Sequence, residues 1–128
     1  MLPPPFRLRR SSDVVRVRQE GRRWPHPLIV LFVNPQPQGS SSVTRFAFAA
    51  GRHVGKATAR NRAKRRLREI VRRHLDQIEP GRDCLFVARQ SIVSVEHAEL
   101  EQAVLQLLTR AGLRADPDRG HSPGSAPL

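Results

Sequence analysis

The sequence predicts a small mixed α/β domain, and three observations lead there. Apolar runs of strand length stand at "PLIVLFV" (27–33), "VTRFAFAA" (43–50) and "CLFVARQ" (84–90). A basic segment between the second and third runs carries apolar residues at helical spacing, and a second amphipathic stretch extends from about Val95 to Ala111. At 128 residues the chain makes one domain, large enough to bury a modest core without disulfide or metal staples.

Taken in order, residues 1–6 read as a flexible N-terminus. "SSDVVRVRQEG" (11–21) reads as a short helix, with Ser11 or Ser12 as N-cap, Asp13 in the first turn and Gly21 as the stop. "PLIVLFV", bounded by Pro27 and Asn34, is a buried strand. "NPQPQGSSS" is a loop by composition. In "VTRFAFAA" the alternation puts Thr44, Phe46 and Phe48 on one face of a second strand. "EPGRD" is a turn before the third strand. In the last helix Leu100, Ala103, Val104, Leu107, Leu108 and Ala111 form a core-facing stripe, and Gly112 ends it. Residues 113–128, rich in Pro, Gly and Ser, read as a disordered tail, which leaves 7–112 as the folded domain.

Charge is the strongest functional signal. Twenty-three Lys and Arg against 11 Asp and Glu give a net charge of +12. Residues 52–73 hold ten of these cations and one acid, Glu69, so that segment carries +9 of the total. Such localisation serves a polyanion site, whereas solubility would not require it. At 100° per residue, Ala59, Ala63, Leu67, Ile70, Val71 and His74 form one stripe facing the core. Opposite lie Asn61, Arg65, Arg68 and Arg72, with Lys64 at their edge and Arg62, Arg66 and Arg73 on a flank. An ordinary solvated helix would pair these cations with acids one turn away. Only Glu69 is available, so the helix is read as a nucleic-acid contact. It sits between two strands and carries no heptads for dimerisation, so backbone and shape recognition of structured RNA fits better than major-groove reading.

Other classes are excluded or weakened. The lone Cys84 cannot form an intramolecular disulfide or a cysteine zinc site and fits a reducing compartment. His26, His53, His74, His97 and His121 have no metal-ligand spacing, and His74 is a core or boundary histidine. No run approaches a membrane span or a signal peptide, so a cytoplasmic protein without membrane attachment is expected. A protein-only nuclease would need carboxylates or histidines converging on metals, and the acids show no such motif. An alternative is a ribosomal or RNA-assembly protein that binds RNA without a part in processing.

In "GKATARNRAKRRLRE" the run Arg60-Asn61-Arg62, followed by Lys64-Arg65 and Arg68, resembles the signature of the protein subunit of bacterial ribonuclease P. The resemblance continues through "RLRRSSDVVRVRQEG", "LIVLFV", "DCLFVAR" and the final helix, from about Arg7 to Gly112. It implies a small two-layer α/β sandwich of the ribosomal-protein-S5-domain-2-like class. There the basic helix joins two parallel strands by a left-handed βαβ crossover, an exception to the usual handedness. It also implies an endoribonuclease whose RNA subunit removes the 5′ leader of precursor tRNA. The magnesium ions would be held mainly by that RNA, and none by the isolated protein. The implied partners are ribonuclease P RNA and the precursor tRNA 5′ leader, with no obligate protein partner. Carried over by position, Lys56, Arg60, Asn61, Arg62, Lys64, Arg65 and Arg68 are RNA-facing, with Arg52 and Arg72 extending the patch at either end. Val14, Arg18, Phe32 and Arg89 fall where the family lines its leader groove. Two departures stand out. Val14 and Arg18 replace the family's frequent aromatics, and Gly51-Arg52-His53 replaces a Ser-Lys-Lys run.

Overall fold

The computed structural model of the chain describes residues 2–37 and 43–115. Its helices are α1 (Ser11–Glu20), α2 (Ala57–Arg73) and α3 (His97–Arg110). Its strands are β1 (Arg22–Pro25), β2 (Ile29–Pro35), β3 (Arg45–Ala50) and β4 (Arg82–Ala88). They form one mixed sheet in the order β1-β2-β4-β3. β2 pairs antiparallel with both β1 and β4, whereas β3 and β4 are parallel. Adjacent parallel strands need a long connection, and α2 lies within it, as the sequence predicts for the basic helix.

The period-2 alternation of the strands sorts their side chains between two unequal cores. On the inner face Ile29, Leu31, Val33, Phe46, Cys84, Phe86 and Ala88 pack against Ala63, Leu67, Ile70 and Val71 of α2 and the apolar stripe of α3. Both helical stripes expected from the sequence are buried there, Ala59 and His74 remaining half-buried at the ends of theirs and Ala111 at its margin. Phe46, Phe48 and Phe86 stack with centroids 6.0–6.5 Å apart. The outer face has a smaller cluster of Leu8, Val17 and Leu85, with Val14, Phe32, Ala47, Ala49 and Val87 half-buried around it. The main sandwich therefore has two layers, and α1 covers only part of the remaining face.

Three expectations need correction. First, the strand β1 was not foreseen, because "RRWP" combines two charges with a proline. An edge strand tolerates both, since one of its sides makes no ladder bonds. Second, the N-cap of α1 is Arg10, without a side-chain capping bond, and Ser11 already belongs to the helix. Third, the packed domain reaches beyond 7–112. Leu2 is 1% exposed and joins the inner core, and Leu113 is fully buried. Gly112 has φ +78, and the amides of Leu113 and Gly112 donate to the carbonyls of Leu108 and Thr109. This is a Schellman closure, which turns Leu113 back onto the helix it follows. The predicted loop lies partly, and the predicted tail from 116 onward wholly, outside the described residues.

Candidate nucleic-acid interface

The basic helix starts at a glycine for a conformational reason. Gly55 has φ +143, and a Cβ there would also lie 3.2 Å from that of Ala59. The chain can thus turn from the short 3-10 segment Arg52–Val54 into α2. Lys56 takes the N-cap position and its carbonyl accepts from the Arg60 amide at 3.0 Å. Burial of Leu67, Ile70 and Val71 fixes the rotation of the helix. Arg52, Lys56, Asn61, Arg62, Arg65 and Arg72 are exposed, while Arg60, Lys64 and Arg68 are half-buried at the sides.

The cations of α2 divide into two groups by what they touch. Arg66 serves the fold: its Nη1 and Nη2 donate to the carbonyls of Ile92 and Val95 at 3.0 and 2.8 Å. Burial, with Arg62 second, lowers its pKa. Arg72 grips Glu69 with Nη2–Oε1 at 2.7 Å, and this bond holds the carboxyl down at about 2. Arg73 lies 3.9 Å from Glu101 and 3.2 Å from the His97 ring. The last turn of the helix is thereby partly neutralised, and Arg72 is a paired cation. Lys56, Arg60, Arg62, Lys64, Arg65 and Arg68 form no ion pair with any described residue. Their like charges crowd the N-terminal two thirds of the helix, and at its first turn the helix dipole adds further positive potential.

Arg68 connects this ridge to the outer face of the sheet. With Arg7 and Arg9 it lines a cavity of about 400 Å³ at the β3 edge, whose apolar walls include Val14, Ala47, Ala49 and Leu85. The N-terminal segment is held there by the Leu8 amide, which donates to the Phe46 carbonyl at 2.8 Å. Farther across the face, Phe32 packs on the Leu8–Val17–Leu85 cluster and the guanidinium of Arg18 lies over its ring, 5.9 Å from the centroid. Val14 and Phe32 therefore share the outer-face cluster, with Arg18 over Phe32, and of the three only Val14 also lines the cavity. Arg89 stands just past the end of β4, where its amide donates to the Leu28 carbonyl at 3.0 Å. Arg89 and Arg60 each keep a buried Nε–H without an acceptor among the described residues.

A buried ion cluster that the sequence reading missed holds α1 in place. Asp83 is fully buried and accepts from Arg16 Nη2 at 2.7 Å, from Arg45 Nε at 2.9 Å and from Arg45 Nη2 at 2.8 Å. These bonds join α1 and β3 to β4, and the Asp83 bond raises the pKa of Arg45. Asp83 shares strand parity with Leu85 and Val87, which was the available hint that it faces α1. Its partners, 38 and 67 residues away in sequence, gave no local signal.

Among the described residues no three His, Cys, Asp or Glu side chains gather where a metal ion could be held. Burial raises the pKa of the Cys84 thiol, so it is an inert core group. His74 Nε2 and Glu101 Oε2 are 2.8 Å apart, which joins α2 to α3. No helix among the described residues is long and apolar enough to cross a membrane.

Comparison with known proteins converges on one family. A family model described as Ribonuclease P matches residues 2–112. The ribonuclease P protein component of Herpetosiphon aurantiacus is 39% identical over 113 residues, covering 88% of this chain and 89% of that protein. That of Symbiobacterium thermophilum is 41% identical over 108 residues, covering 84% and 92%. The structure of the Thermotoga maritima RNase P protein superposes with a TM-score of 0.72 at 29% identity, over 81% of this chain and 96% of that one. A Staphylococcus aureus RNase P protein shares the fold with a TM-score of 0.76 at 20% identity, over 85% and 97%.

Proposed function

This chain belongs to the ribonuclease P protein family, and from that membership we propose how its surface divides the work. It is the protein subunit of ribonuclease P, the RNA-based endoribonuclease of tRNA 5′ maturation, and its partner is ribonuclease P RNA. The exposed ridge of α2, Lys56 to Arg68 with Arg52 beside it, contacts the RNA subunit through phosphates. The outer-face groove of Val14, Arg18 and Phe32 takes the precursor's 5′ leader. One observation supports this reading: Arg68 of the ridge lines the same cavity as Val14 of the outer face, so a single protein face could span the catalytic RNA and its substrate.

The physical role of each part follows. Cations on the ridge replace counterions condensed on the RNA, which favours its compact form where magnesium ions must sit close together. Those ions, held mainly by the RNA, supply the hydrolytic chemistry; the protein's Asp83, Glu69 and Glu101 are committed to arginine and histidine partners. In the groove, Phe32 and the guanidinium above it form a stacking platform for a leader base. The unpaired Nε–H groups of Arg60 and Arg89 are donors that an incoming acceptor would satisfy. A cytoplasmic setting fits this work.

The test compares binding of leader-bearing precursor with mature tRNA by the reconstituted holoenzyme. Aromatic stacking contributes about 1 to 3 kcal/mol per base and depends weakly on salt. Phe32→Ala should therefore reduce the preference for precursor at low and high salt, and Arg18→Ala mainly at low salt. A destabilised Phe32→Ala protein whose leader preference is unchanged would make Phe32 a core residue alone.

A further inference from the structure

We infer that Arg23 is a further leader contact of this chain, a phosphate-binding side chain at the β1 end of the groove. It would take leader nucleotides farther from the cleavage point than those at Phe32. The inference rests on the leader-groove reading and extends it to an edge strand that the sequence reading did not identify.

Strand register places Arg23 there. Arg23 stands opposite Phe32, Phe32 opposite Leu85, and Leu85 opposite Ala47. These four residues make one row across the outer face, spanning three strand spacings or about 14 Å. The neighbouring Trp24 fixes the phase of β1: it stands opposite Leu31, packs on the inner core, and has Arg22 stacked on its ring at 4.3 Å. Alternation therefore keeps Arg23 on the outer face. Arg23 is exposed, and its side chain makes no hydrogen bond or ion pair with any described residue.

The row consequently has cations at both ends and apolar side chains between them. At the β3 end stand Arg7, Arg9 and Arg68; at the β1 end stand Arg23 and the Arg18 that covers Phe32. A single strand lying across the sheet can put bases on the middle and phosphates at the ends. The direction follows from Arg68. It belongs to the helix that meets the RNA subunit, so the β3 end is the cleavage-proximal end and Arg23 is distal. The competing explanation is that Arg23 merely charges an edge strand against pairing with another chain.

The test uses the reconstituted holoenzyme and precursor tRNAs whose leaders are shortened stepwise, with mature tRNA as reference. Arg23→Ala should weaken binding of the long-leader precursor several-fold at low salt and flatten its salt slope by about 0.7, the value for one single-strand phosphate contact. The loss should vanish once the leader is cut short, at a length where Phe32→Ala still weakens binding. Arg23→Lys should restore most of the affinity. An unchanged long-leader affinity in Arg23→Ala, or an equal loss with mature tRNA, would overturn the inference while wild type still prefers precursor. A wild-type protein that shows no preference for precursor would reject the groove reading itself, and Arg23 with it.

Discussion

Replacing Asp83 by asparagine removes one charge from a fully enclosed carboxylate while keeping its side-chain size. The carboxylate accepts three bonds of 2.7–2.9 Å from Arg16 and Arg45. Breaking a buried ion pair by deleting one partner costs about 3 to 5 kcal/mol. Two features place this change at the lower end. The arginine side chains are 22% and 23% exposed, so water reaches the charges left behind, and asparagine keeps one acceptor oxygen. A loss of about 3 kcal/mol is expected, equivalent to about 10 °C in Tm for a domain of this size. Chemical and thermal denaturation measure the total, and native-state hydrogen exchange locates it. Val17 is the one fully buried residue of α1, so without the Asp83 charge the amides of α1 should lose protection before those of α2 and α3. A loss below about 1 kcal/mol, or a protection pattern in which α1 is no weaker than α2, would refute the assignment of α1's anchorage to this cluster.

Arg65→Ala and Arg66→Ala should separate surface from fold: the first should flatten the salt dependence of RNA binding by about 0.7 to 0.9 with little change in Tm. The second should lower Tm, because the carbonyls of Ile92 and Val95 lose their donor. Truncation after Arg114 should leave stability intact, whereas truncation after Gly112 removes buried Leu113 and should cost about 1.5 to 3 kcal/mol by denaturation. The Glu101 carboxyl is held below its ordinary range by the His74 bond, with Arg73 and His97 adding to it. Its folded pKa is lowered, so its contribution is full above the unfolded value of about 4.3 and is lost as pH falls through the folded one. Glu101→Gln should remove that part of the acid-side decline in a denaturation series across pH.

The parts of the structure legible in the sequence are those written in local periodicity. Leu67, Ile70 and Val71 recur at helical spacing, so α2 and its exposed cations could be oriented before any coordinates. The same holds for α3 and for the continuous run in β2. What escaped depends on contacts distant in sequence. Strand β1 exists because Trp24 finds Leu31 and the inner core, although its own residues, with two charges and a proline, carry no strand pattern. Asp83 gained meaning from Arg16 and Arg45, which its strand does not contain. The joining of ridge and groove through Arg68 required knowing that β3 lies at the sheet edge, and strand order is not written in any one segment.

The central claim is that this protein assists an RNA catalyst through its cationic α2 surface. Reconstitution with a bacterial ribonuclease P RNA, with precursor-tRNA 5′ cleavage followed across a magnesium series, tests it most directly. The account predicts strong stimulation by the protein at low magnesium, shrinking as magnesium rises and reduced when Arg65 and Arg68 are both changed to alanine. Stimulation that ignores magnesium and those two arginines, or site-specific cleavage by the protein without RNA, would contradict it.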